Sequence, residues 1–313
     1  MNRSTLLPRA LLALTATLGA LLALEIAGRL LVPPPEARHD FISDYELGWA
    51  LPVSTEMTWR EQPLAVNSLG LRGHEVAPGG TLSVLSVGDS SVFGDGVALE
   101  ETFSARLEAL LGESARVHNG GVPGYTCAQS RLAARRFSRR LAPPDVLLIY
   151  SMHSDVRVAV EGDVSSAGFG AAGAYGVGRL AALGGAWLKA RRGAQGAPLE
   201  DYTSCLEGAV ADQAARGGVT ALVIPVLDAD LPGASAKQRR YHASTEQLTE
   251  YRAAMARVAR ATGTPIIDLP GALKLAGLTR EAGLLDQVHP SPAGHAAIAE
   301  VIAQSMRELD WAE

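Results

Sequence analysis

Short apolar runs alternate with amphipathic stretches from residue 82 to the C-terminus. Leu82–Val87 reads as a buried strand, Ala115–Asn119 as a second short strand, Val146–Tyr150 as a third, apolar throughout as a strand buried on both faces should be, and Val219–Val226 and Pro265–Leu269 as a fourth and fifth. Between the first two, Phe103, Leu107, Leu110 and Leu111 have helical spacing, and Gly112 ends that helix. Residues 126–141 and 202–216 predict two more helices, stopped by Pro143-Pro144 and Gly217-Gly218. Ser244 with Gln247 forms a capping box for a fourth, whose stripe is Leu248, Tyr251, Met255 and Val258. The last helix opens with Ser291 as N-cap and Pro292 at its first position, and Ala297, Ile298, Val301, Ile302 and Met306 form its stripe. Five strands separated by helices predict an α/β fold, a three-layer α/β/α sandwich around a five-stranded parallel sheet. Right-handed crossovers give it a flavodoxin-like order. There is no internal repeat.

Three segments depart from this rhythm and set the domain organisation. Residues 1–36 read as a signal anchor with a Pro-rich linker. Arg3 and Arg9 precede an uncharged run from Ala10 to Leu24, and Pro33-Pro34-Pro35 follows. Leu11 to Val32 as a helix spans about 33 Å, enough for a bilayer. The basic start places the N-terminus in the cytoplasm and the rest outside. The expectation is therefore an N-terminal transmembrane helix holding an extracytoplasmic domain at the membrane, in the periplasm or at the cell surface. Secretion after signal cleavage is the alternative. Residues 37–80 read as a lead-in arm packed on the core. In it, Arg72 between glycines reads as a surface arginine or a contact for an anion. The main domain is 81–313, with an insertion at about 156–200, either a lid or an excursion.

Composition narrows the function classes. With 313 residues, 47% of them hydrophobic, the chain can bury a large core. A net charge of -5 argues against a nucleic-acid partner. Cys127 and Cys205 show no metal spacing, and both a disulfide and two free thiols remain open. Arg131, Arg135 and Arg139 repeat every four residues along one helix, a solvated face or a contact for an anionic glycan or lipid headgroup.

The candidate chemistry sits at strand ends. The first strand runs into Gly88-Asp89-Ser90, a tight turn with a hydroxyl at its tip. A neutral serine needs a base within hydrogen-bond reach and a third group to orient that base. Asp286-Gln-Val-His289, just before the last helix, offers both, and the order Ser90, Asp286, His289 is one used by such triads. The oxyanion formed on attack needs preorganised donors. Ser90 N–H supplies one, and Gly124, in the turn after the second strand, a second.

These blocks resemble the SGNH hydrolase family, also called GDSL esterases/lipases, of the membrane-anchored bacterial type. Gly88-Asp89-Ser90 with Gly94 resembles the first block, Asn119-Gly-Gly-Val-Pro-Gly124 the second, and Asp286-x-x-His289 the last. Asn67 to Arg72 is similar to the lead-in of anchored members. The third block departs: the family has Gly-x-Asn-Asp, and this chain has Met152-His153-Ser154-Asp155. Ser154 stands where the third oxyanion donor should be and reaches less far than an Asn amide.

The resemblance implies Ser90 as nucleophile, His289 as base and Asp286 as its orienting acid. Ser90, Gly124 and Ser154 form the oxyanion hole, with Asp89, Asn119, His153 and Asp155 in support. The sequence shows no convincing metal cluster, and the expected reaction requires no cofactor. The expected activity is hydrolysis of acyl esters, acetyl among them, through an acyl-serine, on cell-envelope carbohydrate or lipid. The alternatives are an O-acyltransferase using the same triad and a non-catalytic binding or assembly protein on the same fold.

Overall fold

The computed structural model describes residues 12–23, 26, 41–44, 46–76, 79–156, 199–233 and 245–312. The capping residue Ser244 and nearly all of the 156–200 insertion lie outside them. The chain divides into two compact units, the smaller built around Met1–Trp49. That unit holds a helix, α1, over residues 12–23, whose Leu12, Leu14, Leu18, Leu21 and Leu22 are all exposed. It also holds β1 (Ile42–Asp44), which pairs with β2 (Gly48–Ala50). Among the described residues, no helix is long and apolar enough to cross a membrane; much of the predicted Leu11–Val32 span falls outside them.

The larger unit begins with an antiparallel hairpin, β3 (Thr55–Trp59) and β4 (Gln62–Val66). Then come β5 (Leu82–Gly88), β6 (Ala115–Gly121), β7 (Val146–Tyr150), β8 (Val219–Ile224) and β9 (Ile266–Asp268). These five form one parallel sheet in the order β6-β5-β7-β8-β9, the flavodoxin-like order expected. β6 runs two residues further than the sequence pattern predicts, to Gly121, and β8 stops at Ile224. The helices are α2 (Ser90–Phe93), α3 (Phe103–Leu111), α4 (Cys127–Arg140), α5 (Leu199–Ala214), α6 (Thr245–Thr262), α7 (Leu269–Leu275), α8 (Arg280–Gly283) and α9 (Pro292–Glu308).

Alternation along the strands divides the core. Val84, Val146, Leu148, Tyr150 and Val223 pack with Phe103 and Leu107 of α3 and Ile298, Ile302 and Met306 of α9. Their sequence neighbours Leu85, Val87, Leu147, Ile149 and Leu222 are buried too, on the opposite face, beneath α4 and α5. A strand covered on both faces is apolar throughout, as β7 is. Each fully buried Leu or Ile contributes about 1.5–3 kcal/mol.

α4 and α5 are tied together twice. Arg131 and Arg135 both pair with Asp212, Nε to Oδ2, at 2.7 and 3.0 Å. Two of the three periodic arginines are thus spent on a helix contact. Cys127 and Cys205 form a disulfide across a sequence separation of 78. Closing so long a loop removes chain entropy from the unfolded state. Replacing both cysteines with serine should lower stability by about 2–4 kcal/mol, read as the denaturation midpoint in urea. An unchanged midpoint would mean that the bond adds nothing.

The lead-in arm is more tightly built than its sequence suggests. Asn67 Oδ1 accepts from the N–H groups of Leu69 and Leu71, both at 3.0 Å, and its Nδ2 donates to the His74 carbonyl. This turn aims Arg72 inward. Arg72 is buried, not a surface residue and not an anion contact. Its Nη1 donates to the Phe93 and Gly94 carbonyls and its Nη2 to the Val97 carbonyl, each at 2.6 Å. Three carbonyls, from Phe93 at the end of α2 to Val97, thus receive a fork of donors from Arg72.

Candidate active site

β5 ends at Gly88, where a Cβ would overlap the Tyr150 carbonyl oxygen, so only glycine lets the chain turn there. Asp89 then caps α2: its Oδ1 accepts the Ser91 N–H at 3.0 Å. Ser90 therefore stands at the first position of α2, just past the strand end. The turn closes at Gly94, φ +86°, which an L side chain rarely adopts. Asn119 Nδ2 donates to the Val92 and Phe93 carbonyls, at 2.9 and 3.3 Å, and fixes α2 against β6.

The loop before α9 brings His289 to this serine. Ser90 Oγ lies 2.8 Å from His289 Nε2, and His289 Nδ1 lies 2.6 Å from Asp286 Oδ2. The other Asp286 oxygen accepts the backbone N–H groups of Val288 and His289, both at 2.9 Å. These bonds fix the tautomer: Nδ1 carries the hydrogen and Nε2 offers its lone pair to the serine. Burial favours the neutral forms of both partners, but their mutual hydrogen bond and charge outweigh it. Asp286 is held well below the usual carboxylate range. His289 is raised above its ordinary 6.5, burial being outweighed by Asp286 first and then by Asp95 and Asp89.

A second set of contacts holds the loop from the other side. Ser91 Oγ donates to the Val288 carbonyl at 3.1 Å and lies 3.3 Å from His153 Nδ1. With the serine proton spent on Val288, neutral His153 donates through Nδ1. Burial keeps His153 neutral, holding its pKa below the ordinary value against the pull of Asp89. Asp228 N–H donates to the Gln287 carbonyl at 3.0 Å, tying the same loop to the segment after β8.

The oxyanion candidates differ in their freedom. Ser90 N–H and Gly124 N–H make no hydrogen bond among the described residues. Gly124 is at φ +85° in an exposed turn. Ser154 is engaged elsewhere: its hydroxyl donates to Asp89 Oδ2 at 3.4 Å. Asp155 is buried and accepts the Cys127 N–H at 3.0 Å and the Ser151 hydroxyl at 2.9 Å. Burial pushes its carboxyl up to about 7. It anchors the start of α4, and with it the Gly124 turn. His153, through Ser91, and Asn119 likewise act as struts for α2 and the loop before α9.

Sequence reasoning did not find four side chains that the structure puts around this row: Ser91, Trp59, Arg60 and Asp95. Asp95 is buried and accepts a hydrogen bond from Trp59 Nε1 at 2.7 Å. Among the described residues, no group of His, Cys, Asp and Glu side chains is arranged to hold a metal ion.

Residues 86–297 match the family described as GDSL-like Lipase/Acylhydrolase. No curated protein sequence matches the chain. Several solved structures share its fold. An α/β hydrolase from the Lake Arreo metagenome, LAE5, is 18% identical with a TM-score of 0.52, covering 74% of this chain and 97% of its own. A catalytic mutant of Axe2, an acetylxylan esterase from Geobacillus stearothermophilus, is 18% identical at TM-score 0.51, covering 76% and 99%. The acetyl xylan esterase AlAXEase is 16% identical at 0.50, covering 72% and 99%.

Proposed function

The chain belongs to the GDSL-like lipase/acylhydrolase family, a family of ester-hydrolysing serine hydrolases, and we propose that Ser90, His289 and Asp286 carry its chemistry. The observation behind this reading is the unbroken row Ser90 Oγ, His289 and Asp286, at 2.8 and 2.6 Å. Ser90 Oγ attacks the acyl carbonyl while its proton passes to His289 Nε2. The imidazolium is held by Asp286, and the oxyanion is met by Ser90 N–H and Gly124 N–H. Collapse expels the alcohol, which takes the proton from His289. Water, deprotonated by the same nitrogen, then releases the acid and restores Ser90. No step requires a cofactor.

We further propose that the acyl group is short, acetyl on a carbohydrate being the first choice. Support comes from the acetylxylan esterases among the similar folds, a likeness of fold alone. The proposed location is outside the cytoplasm, tethered by the N-terminal segment. The exposed leucines of α1 and the Cys127–Cys205 disulfide favour this, because disulfides persist in oxidising compartments. Capture of the acyl-enzyme by a sugar hydroxyl, the transferase alternative, has no observation in its favour over water.

The test is release of p-nitrophenol from acetyl, butyryl and longer esters, beside labelling by a fluorophosphonate. Turnover should be highest for acetyl and should rise with pH as His289 loses its proton. A raised pKa keeps the base protonated to higher pH, so half-maximal kcat/KM should fall above pH 6.5. Background rates on every ester together with no labelling would remove the esterase reading.

A further inference from the structure

Asp95 follows the left-handed Gly94 and is 4% exposed. Its Oδ1 accepts the Trp59 Nε1 hydrogen at 2.7 Å and lies 3.1 Å from Arg60 Nε. Both partners sit at the tip of the β3–β4 hairpin. Its Oδ2 stands 3.6 Å from His289 Nε2, the nitrogen that faces Ser90. The imidazole thus lies between two carboxylates, Asp286 at Nδ1 and Asp95 beside Nε2.

At 3.6 Å the second contact is electrostatic, beyond hydrogen-bond length. In the resting enzyme this anion stands beside the nitrogen whose lone pair is turned to Ser90, which is unfavourable. Once Nε2 takes the serine proton, the same anion faces the N–H of a cation, which is favourable. Asp95 therefore shifts the balance toward the protonated ring.

The hairpin tip makes the contacts to Asp95 Oδ1. Arg60 and Glu61 have φ of 45° and 67°, a region that L side chains rarely adopt. A two-residue hairpin loop of this type requires positive φ at both positions, so the turn itself places Trp59 and Arg60 where they are. Here the tip delivers Trp59 and Arg60 to one oxygen of Asp95 and leaves the other toward His289.

We propose that Asp95 is a positioning residue of the active site, a second carboxylate that favours protonated His289 through Nε2, with Trp59 and Arg60 setting how strongly it does so. The inference rests on the assignment of His289 as the base for Ser90. The groups that face His289 are Asp286 from its own loop, Asp89 and Asp95 from the segment around α2, His153 from the loop after β7, and His295 from α9. Burial keeps both histidines neutral, so neither opposes the carboxylates near pH 7. Around Asp95 itself stand Arg60 and Arg72.

The experiment is the pH profile of kcat/KM for p-nitrophenyl acetate, pH 5 to 9, on the full chain. Wild type is compared with Asp95→Asn, Arg60→Met and Ser90→Ala. Asp95→Asn keeps one oxygen acceptor for Trp59, removes the charge and places an amide NH2 toward His289. Its acid limb should move down by about 1 pH unit. Arg60→Met should move the limb the other way by a few tenths of a unit, less at high salt because Arg60 is exposed. If Asp95→Asn does not fold, Arg60→Met still decides, because it alters an exposed tip. A limb unmoved by either variant, or moved downward by Arg60→Met, overturns the proposal. Ser90→Ala separates the two claims: full activity in that variant removes the base assignment, whereas a dead Ser90→Ala beside an unmoved Asp95→Asn profile removes only the role of Asp95.

Discussion

Ser90→Ala should lower kcat on p-nitrophenyl acetate by about 10⁶-fold, to what binding and the backbone donors alone provide. In the proposed mechanism this hydroxyl forms the acyl bond. Without it, His289 Nε2 keeps its lone pair and its hold on Asp286 but has nothing to activate except water. His289→Ala should cost about as much, since a serine with no base within hydrogen-bond reach is a poor nucleophile at neutral pH. The double variant should be no slower than the worse single, because the residues act as one unit. Folding should not confuse the result. Ser90 Oγ makes one side-chain hydrogen bond, so the melting temperature of Ser90→Ala should stay within about 2 °C of wild type. Retention of a tenth of the activity with an intact fold would rule Ser90 out as nucleophile.

What the sequence makes legible is what local rules control. The central strand β7, Val146–Tyr150, is apolar along its whole length because both its faces are covered; β6 and β9, at the sheet edges, carry polar residues. Ser291-Pro292 marks the start of α9 because capping is a local matter, and the Ser291 hydroxyl indeed accepts the Gly294 N–H at 3.1 Å. Ser90, Asp286 and His289 are readable because each sits at a strand or helix end, where turn residues stand out from apolar runs. The β3–β4 hairpin was not readable, and the reason is its turn. A two-residue loop with both residues at positive φ ordinarily signals itself by Asn-Gly or a similar pair. This one uses Arg60-Glu61, which gives no turn signal. Asp95 was hidden for a related reason: its meaning depends on Trp59, Arg60 and His289, contacts made across 36, 35 and 194 positions. Ser154 read as an oxyanion donor by its place in the third block. Its observed partner, Asp89, is the N-cap of α2, and that choice is made by packing.

Arg72→Met should destabilise the protein by about 3–5 kcal/mol, a drop in melting temperature of roughly 10 °C. Arg72 is where the lead-in arm meets the nucleophile segment. Its guanidinium lies 4.6 Å over the Phe93 ring and gives hydrogen bonds to three carbonyls. Burial pulls its pKa down to about 10, against the pull of Asp95 and Glu100, so it stays charged at neutral pH. Methionine fills much of the volume but leaves the Phe93, Gly94 and Val97 carbonyls without these donors in a dry site. Arg72→Lys should not restore them, because one ammonium lacks the planar fork that serves carbonyls on both sides. The same carbonyls belong to the segment that closes α2 and carries Asp95. Activity should therefore fall together with stability, and it should fall more than it does in a variant equally destabilised at the Cys127–Cys205 bond. Thermal melts beside kcat on p-nitrophenyl acetate distinguish the two. If Arg72→Met melts within about 2 °C of wild type and turns over normally, the arm is an ornament on the core; a large loss in both makes it part of the machine.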